Sequence, residues 1–205
     1  MTGRALVELG DGLDLVLASG SPRRRELLAS VGLEFVVRPP DIDERPRGDD
    51  PIRYVQRLSR EKAVAVARPD EIILAADTTV ELEGSILEKP VDRDDARRML
   101  RLLSGRVHRC HTGVTVLTSE CGHETFETLV VSTDVAFVAL TEPMIDWYLA
   151  TGEADDKAGA YGIQGAAGAF VEHVDGSVTN VIGLPLAETL GMLRRAVRSG
   201  DTVGR

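Results

Sequence analysis

The chain has 205 residues, 43% of them hydrophobic, which is ample for a folded core and excludes disorder over most of its length. Its longest apolar run, Val135 to Leu140, falls far short of the ~20 residues a membrane span needs, and Asp11 and Asp14 interrupt any leader-like start. A net charge of −9 argues against a nucleic-acid polymer as partner, and two cysteines, Cys110 and Cys121, fit a reducing cytoplasm better than a disulfide framework.

Leu13 to Ala18 reads as a short strand broken by Ser19-Gly20-Ser21-Pro22. Ser21 suits an N-cap and Pro22 the first helical position, so a helix is expected to about Val31, stopped by Gly32. Phe35 to Val37 reads as a strand, and a polar loop follows to Asp50-Pro51, where a second helix begins with Ile52, Val55, Leu58 and Val66 as its apolar face. Ile72 to Ala76 has no alternation and predicts a strand buried on both faces. Glu83-Gly84 turns the chain into a short strand ending at Lys89-Pro90, and Asp92 with Asp95 opens a helix that runs to Ser104-Gly105.

Val107 to Leu140 is strand-like around a turn at Glu120 to Gly122. Thr141 caps a helix carrying Trp147 and Tyr148, stopped by Gly152, and a Gly/Ala-rich tract continues to Gly168. Phe170–Val174 and Val178–Ile182 read as a hairpin about Asp175-Gly176, and Leu186 to Arg198 as a closing helix. Strands of parallel and hairpin type with flanking helices predict an α/β protein, read as one domain over 1–205.

Four constellations carry chemistry. In Ser19-Gly20-Ser21-Pro22-Arg23-Arg24-Arg25, three arginines stand in a first helical turn, where the helix dipole favours anions. A bound polyanion such as a triphosphate removes that conflict, with arginine chelating its oxygens. No Walker-type Gly-Lys-Ser follows, so this is not a P-loop. In Ala75-Ala76-Asp77-Thr78-Thr79, Asp77 is expected at the C-terminal end of a buried strand, where it can hold a divalent metal, act as a general base, or both. A phosphoaspartyl phosphatase needs a second Asp two residues on, and that position is Thr79.

The acidic loop Asp41-Ile42-Asp43-Glu44 offers oxygen ligands to a hard cation such as Mg²⁺. In the tract Asp156 to Gly165, small residues allow close approach to a ligand, and Gln164 offers donor and acceptor groups that suit a base edge. Of 24 basic residues 21 are Arg, so the three lysines, Lys62, Lys89 and Lys157, stand out, and each follows an acid. His108, Cys110, His111, Cys121 and His123 match no usual zinc spacing.

Together these segments resemble the Maf family of nucleotide pyrophosphatases, also called septum-formation-inhibitor-like proteins. The matching stretches are Leu17 to Arg24, Arg60-Glu61-Lys62-Ala63, Ala75 to Thr78, Leu87 to Pro90, Leu103-Ser104-Gly105, Asp156 to Gly165 and Val181 to Leu186. All three lysines fall inside them. The resemblance implies an inosine-triphosphatase-like α/β fold with a mixed sheet in two lobes around a cleft, and usually a homodimer. It implies hydrolysis of a nucleoside triphosphate to monophosphate and pyrophosphate with a divalent metal (Mg²⁺, Mn²⁺ or Co²⁺), and through the family's older name a link to cell division.

By position, Asp77 matches the family's proton acceptor, and Arg23, Thr78 and Gln164 match positions tied to the subgroup preferring dTTP and UTP. Ser19, Arg24, Glu44, Lys62 and Lys89 match the other polar positions of the cleft. On this reading Asp77, Glu44 and Lys89 are catalytic, Asp77 and Glu44 hold the metal, and Ser19, Arg23, Arg24, Lys62, Thr78 and Gln164 bind substrate. One departure is Ala154, where Glu-Pro-x-Asp-Lys is common. The rival expectations are a non-catalytic nucleotide-binding regulator of septum formation and the subgroup acting on 7-methyl-GTP.

Overall fold

The run Ile72–Ala76 lies at the centre of the sheet and is fully buried, as its lack of alternation requires. In the computed structural model, which describes residues 14–203 except 49, 121 and 122, the run belongs to a longer strand, β3 (Glu71–Leu82). β1 (Asp14–Ala18) pairs with it in parallel, and β2 (Val36–Val37) lies parallel beyond β1. On the other edge β5 (Val107–Glu120) runs antiparallel along Glu71 to Glu81, followed by β6 (His123–Phe137) and β7 (Val171–Asp175). A short strand, β4 (Ser85–Leu87), folds back antiparallel on the end of β3. The described residues thus form a seven-stranded mixed sheet.

β1 and β4 share one edge of β3, because β5 occupies the other. β1 covers Glu71 to Ala75 and β4 covers Val80 to Leu82. Between them Ala76, Asp77, Thr78 and Thr79 have no strand partner on that edge among the described residues. This gap corrects one expectation: Asp77 sits inside a strand, not at its end. What ends there is the parallel neighbour, so the opening that α/β sheets use for ligands is kept.

Helices build a core on each face. α1 (Pro22–Ser30) and α6 (Leu186–Val203) pack Leu27, Leu28, Met192 and Leu193 on Leu15, Leu17, Ile72, Leu74 and Ala76. α2 (Pro51–Val66) covers Val16, Ala18, Ile73 and Ala75 with Ala63 and Val66. Beyond the gap, α3 (Arg93–Leu103) and α4 (Glu142–Leu149) enclose a third core around Val80, Leu82, Val135, Phe137 and Phe170. β3, β5 and β6 run through both ends, and the cleft opens between them. None of the described helices is long and apolar enough to cross a membrane.

α2 sits close on β5 because of one residue. A Cβ on Gly113 would lie 2.3 Å from the Val55 carbonyl oxygen and 2.6 Å from its carbon, both backbone atoms with nowhere to go. Gly113→Ala is therefore expected to cost ~2–3 kcal/mol, read as a lowered urea midpoint at unchanged m-value. A midpoint equal to wild type would show that α2 can slide.

The sequence reading of Val178–Ile182 as a strand is overturned. It is a short helix, α5 (Val178–Ile182), capped by Ser177 Oγ accepting from the Asn180 amide at 3.2 Å. Asn180 is fully buried and donates through Nδ2 to the Cys110 carbonyl and Thr133 Oγ1, both at 3.0 Å, while its own carbonyl accepts from Thr112. The turn at Gly176 (φ 129°) thus carries the chain from β7 onto β6, where Thr133 and Ser177 bond each other, and not into a second strand. Other helix limits agree within a residue or two, although Ser21 makes no side-chain cap. The closing helix runs on to Val203.

Candidate active site

The pleat of β3 sends Asp77 and Thr78 to opposite faces at the gap, and each meets a cation from the helix on its side. Asp77 lies on the α2 face, where Tyr54, Leu58 and Lys62 fall at successive helical turns along one buried stripe. Lys62 Nζ donates to Asp77 Oδ1 at 2.6 Å and also pairs with Glu44 Oε1 at 2.8 Å. Lys62 is 5% exposed and Asp77 6%, whereas Glu44 stands at the cleft rim. Burial opposes ionisation of Glu44, yet the Lys62 hydrogen bond and the charges of Lys62, Lys89 and Arg24 outweigh it and hold its carboxyl below the ordinary value.

On the other face, Arg24 spreads its fork over three segments. Nε donates to the Gly183 carbonyl (2.8 Å), Nη1 to Ser19 Oγ (3.3 Å) and Nη2 to Thr78 Oγ1 (3.1 Å). Thr78 Oγ1 is also 2.9 Å from Thr112 Oγ1. Gly183 has φ 126°, a conformation that side-chain-bearing residues rarely adopt, and this turn aims its carbonyl at Arg24. Burial lowers the Arg24 pKa and Asp77 opposes that shift, so the group stays cationic.

These residues line one cleft of about 910 Å³, together with Gly20, Arg23, Lys89, Asp156 and Gln164. All nine site residues expected from the sequence line it: Ser19, Arg23, Arg24, Glu44, Lys62, Asp77, Thr78, Lys89 and Gln164. Arg25, Asp41, Asp43 and Ala154 do not. Arg25 faces solvent, Asp43 is held by Arg45, and Ala154 is packed in the core beyond the gap. Across the opening Arg23 Nη1 meets Asp156 Oδ2 at 3.1 Å, and Lys157 Nζ ties Asp156 to the Glu153 carbonyl. Lys157 thereby holds the tract that carries Gln164, which is exposed on the cleft wall.

Two contributors were missed. The Tyr54 hydroxyl donates to the Glu44 carbonyl at 2.8 Å and lies 3.4 Å from Glu88 Oε1. Desolvation, and then the negative charges of Asp77, Glu88 and Glu44, push its pKa up, so it stays a proton donor to these acceptors. The signal for Tyr54 was its place on the Lys62 stripe of α2. Glu88 stood inside a motif already quoted.

Asp77 and Glu44 are hard oxygen donors of the kind that hold a divalent cation together with water and phosphate, so the donor set fits such an ion. No three His, Cys, Asp or Glu side chains converge on a point among the described residues, and the meeting point of these two carboxylates is the Lys62 ammonium.

The histidines of β5 have structural partners. His111 Nδ1 bonds Ser132 Oγ, and His108 Nε2 bonds the Tyr161 hydroxyl, each at 2.8 Å. Cys121 lies outside the described residues. Burial pulls the His108 pKa from 6.5 to about 4, so it is neutral in the fold. As pH falls below ~6.5 the unfolded chain takes up a proton that the folded chain refuses until about pH 4. Stability should fall across that window by about 3 kcal/mol from this residue alone. His108→Gln should flatten that part of the curve in urea unfolding from pH 7 to 4, and an unchanged slope would refute the assignment.

Comparison with known proteins identifies the family. Residues 14–196 match the family model described as Maf-like protein. The chain is 58% identical to a dTTP/UTP pyrophosphatase of Anaeromyxobacter dehalogenans (strain 2CP-1) over 183 residues, 89% of this chain and 93% of that one. It is 52% identical to a protein of that name from Myxococcus xanthus, covering 89% and 92% of the two chains. For one from Vibrio parahaemolyticus the figures are 50%, 86% and 94%. Among solved structures, the Staphylococcus aureus Ham1 protein overlaps 60% of this chain and 72% of its own at 15% identity and a TM-score of 0.39. The chain belongs to the Maf-like protein family.

Proposed function

We propose that this Maf-family chain is a nucleoside triphosphate pyrophosphatase acting on dTTP and UTP. It cleaves the bond between the α- and β-phosphates and releases the nucleoside monophosphate and pyrophosphate. The observation that carries the reading is the strand gap, where a buried carboxylate faces a cleft ringed by Arg23, Arg24 and Lys89. The name shared by relatives 50–58% identical supports the substrate pair.

In the proposed reaction Asp77 accepts the proton of a water as its oxygen bonds the α-phosphorus. The bond to the β-phosphate oxygen then breaks, and the electron pair leaves with pyrophosphate. In the free cleft Lys62 engages one oxygen of Asp77 and so holds the carboxylate at the strand gap before substrate binds. Arg23, Lys89 and the first turn of α1 neutralise the phosphate oxygens, which is where negative charge gathers. Thr78 and Ser19 are held by Arg24 beside them, and Gln164 faces the base. A divalent cation held by Asp77 and Glu44 would supply further charge neutralisation on the phosphates. A homodimer is proposed on the family resemblance and is checked by light scattering.

The test is a panel of dTTP, UTP, CTP, dGTP and 7-methyl-GTP with Mg²⁺ or Mn²⁺, with pyrophosphate and orthophosphate assayed separately. Pyrophosphate chiefly from dTTP and UTP is the expected result. Release from 7-methyl-GTP instead would keep the reaction and overturn the reading of Arg23, Thr78 and Gln164 as marks of the subgroup preferring dTTP and UTP. No release from a folded protein would favour the regulator.

A further inference from the structure

The Lys62 ammonium stands where a cation bridging Asp77 and Glu44 would stand. It is within hydrogen-bond distance of both carboxylates, at 2.6 and 2.8 Å, and its side chain is 7% exposed. Its stem leaves α2 on the buried stripe with Tyr54 and Leu58, so the charge is not a surface group that has swung in. The Tyr54 hydroxyl fastens the Glu44 backbone from the same helix, which keeps the second carboxylate within reach of the ammonium.

We infer that Lys62 is a built-in placeholder for the divalent cation, so that the free protein takes up metal only together with the nucleotide's phosphates. The inference rests on the proposed pyrophosphatase reading of this cleft. Charge supports it. The cleft lining carries six cationic side chains against five carboxylates. A dication entering alone therefore meets no net negative charge, and the two carboxylates that would ligate it are already paired with Lys62. A triphosphate brings several negative charges to the cationic side of the cleft, and its oxygens add the ligands that two carboxylates lack. The ammonium then has phosphate oxygens to turn to, and the carboxylates are released to the metal. Nucleotide and cation therefore bind with positive coupling, each raising the affinity for the other by the same factor.

The probe is Mn²⁺ alone, followed by the free-ion electron paramagnetic resonance signal, a readout that needs no turnover. Wild type should bind Mn²⁺ weakly without nucleotide, and at least about tenfold more tightly with a non-hydrolysable α,β-imido analogue of dUTP or dTTP. Lys62→Met should bind Mn²⁺ without nucleotide at least about tenfold more tightly than wild type, because an opposing charge at contact distance is gone. Lys62→Gln, which also removes the charge but keeps an amide donor, gives the same reading if the Met variant does not fold. Lys62→Arg, which keeps the charge, should show no gain.

Tight nucleotide-free Mn²⁺ binding by wild type, or neutral variants that bind no better than wild type, would overturn the inference. The two readings fail separately. A protein that releases no pyrophosphate yet shows the Lys62 effect loses the proposed reaction, and one that turns over dTTP without the effect loses only the placeholder.

Discussion

Asp77→Asn is expected to lower pyrophosphate release from dTTP and UTP by at least ~10²-fold and to leave the protein folded. The substitution preserves shape, so Ala75 to Thr79 keep their places on β3 and their pairing with β5. It removes the one carboxylate that is both buried in the cleft floor and placed at the strand gap. Lys62 retains Glu44 as a partner at 2.8 Å, so its ammonium is not stranded, which is why the fold should survive. Initial rates beside a urea titration check both halves of the expectation. Glu44→Gln is the comparison: it leaves the proton acceptor in place and should cost less. An Asp77→Asn protein with wild-type turnover would remove Asp77 from its role and move the search to Glu44 and Glu88, which line the same cleft.

The fold was legible wherever local pattern decides it. The unalternating run at Ile72, the helix start at Asp50-Pro51, the cap at Thr141 and the turn at Glu83-Gly84 each depend on neighbours within a few residues, and all stand in the structure. Val178–Ile182 failed because its conformation is set from a distance. Asn180 fills a buried slot between Cys110 and Thr133, contacts some 50 to 70 residues away that no local window contains. The position of Asp77 inside β3 failed for a related reason, since a strand's length depends on its partners and β5 supports β3 far beyond the end of β1. Family resemblance brought nine polar residues to one cleft. It did not show that Lys62 grips Asp77 and Glu44 at once, because that depends on how α2 lies over the sheet. Gly113, which permits the approach, carried no recognisable signal of its own.

Arg23 and Arg24 are neighbours in sequence and were given one role, yet the structure separates them, and the sharper expectation concerns Arg24. Arg24→Lys should lower kcat/KM for dTTP by at least ~10²-fold and stability by ~2 kcal/mol, although the charge is kept. Three of its N–H groups are already spent within the protein, on Gly183, Ser19 and Thr78, which come from the α5–α6 turn, the end of β1 and the gap in β3. An ammonium on a flexible stem cannot reach all three in the geometry of a planar fork. The Gly183 carbonyl, the Ser19 hydroxyl and Thr78 would each lose a donor, and the cleft walls would loosen where the α-phosphate must be aligned. Among the described residues Arg23 is held by Asp156 at the mouth of the cleft, so it can turn to a phosphate without cost to the fold. Arg23→Ala should therefore raise KM with little change in melting temperature, while Arg24→Lys lowers kcat and melting temperature together. The reverse pattern would mean that Arg23 is the clamp and Arg24 the phosphate ligand.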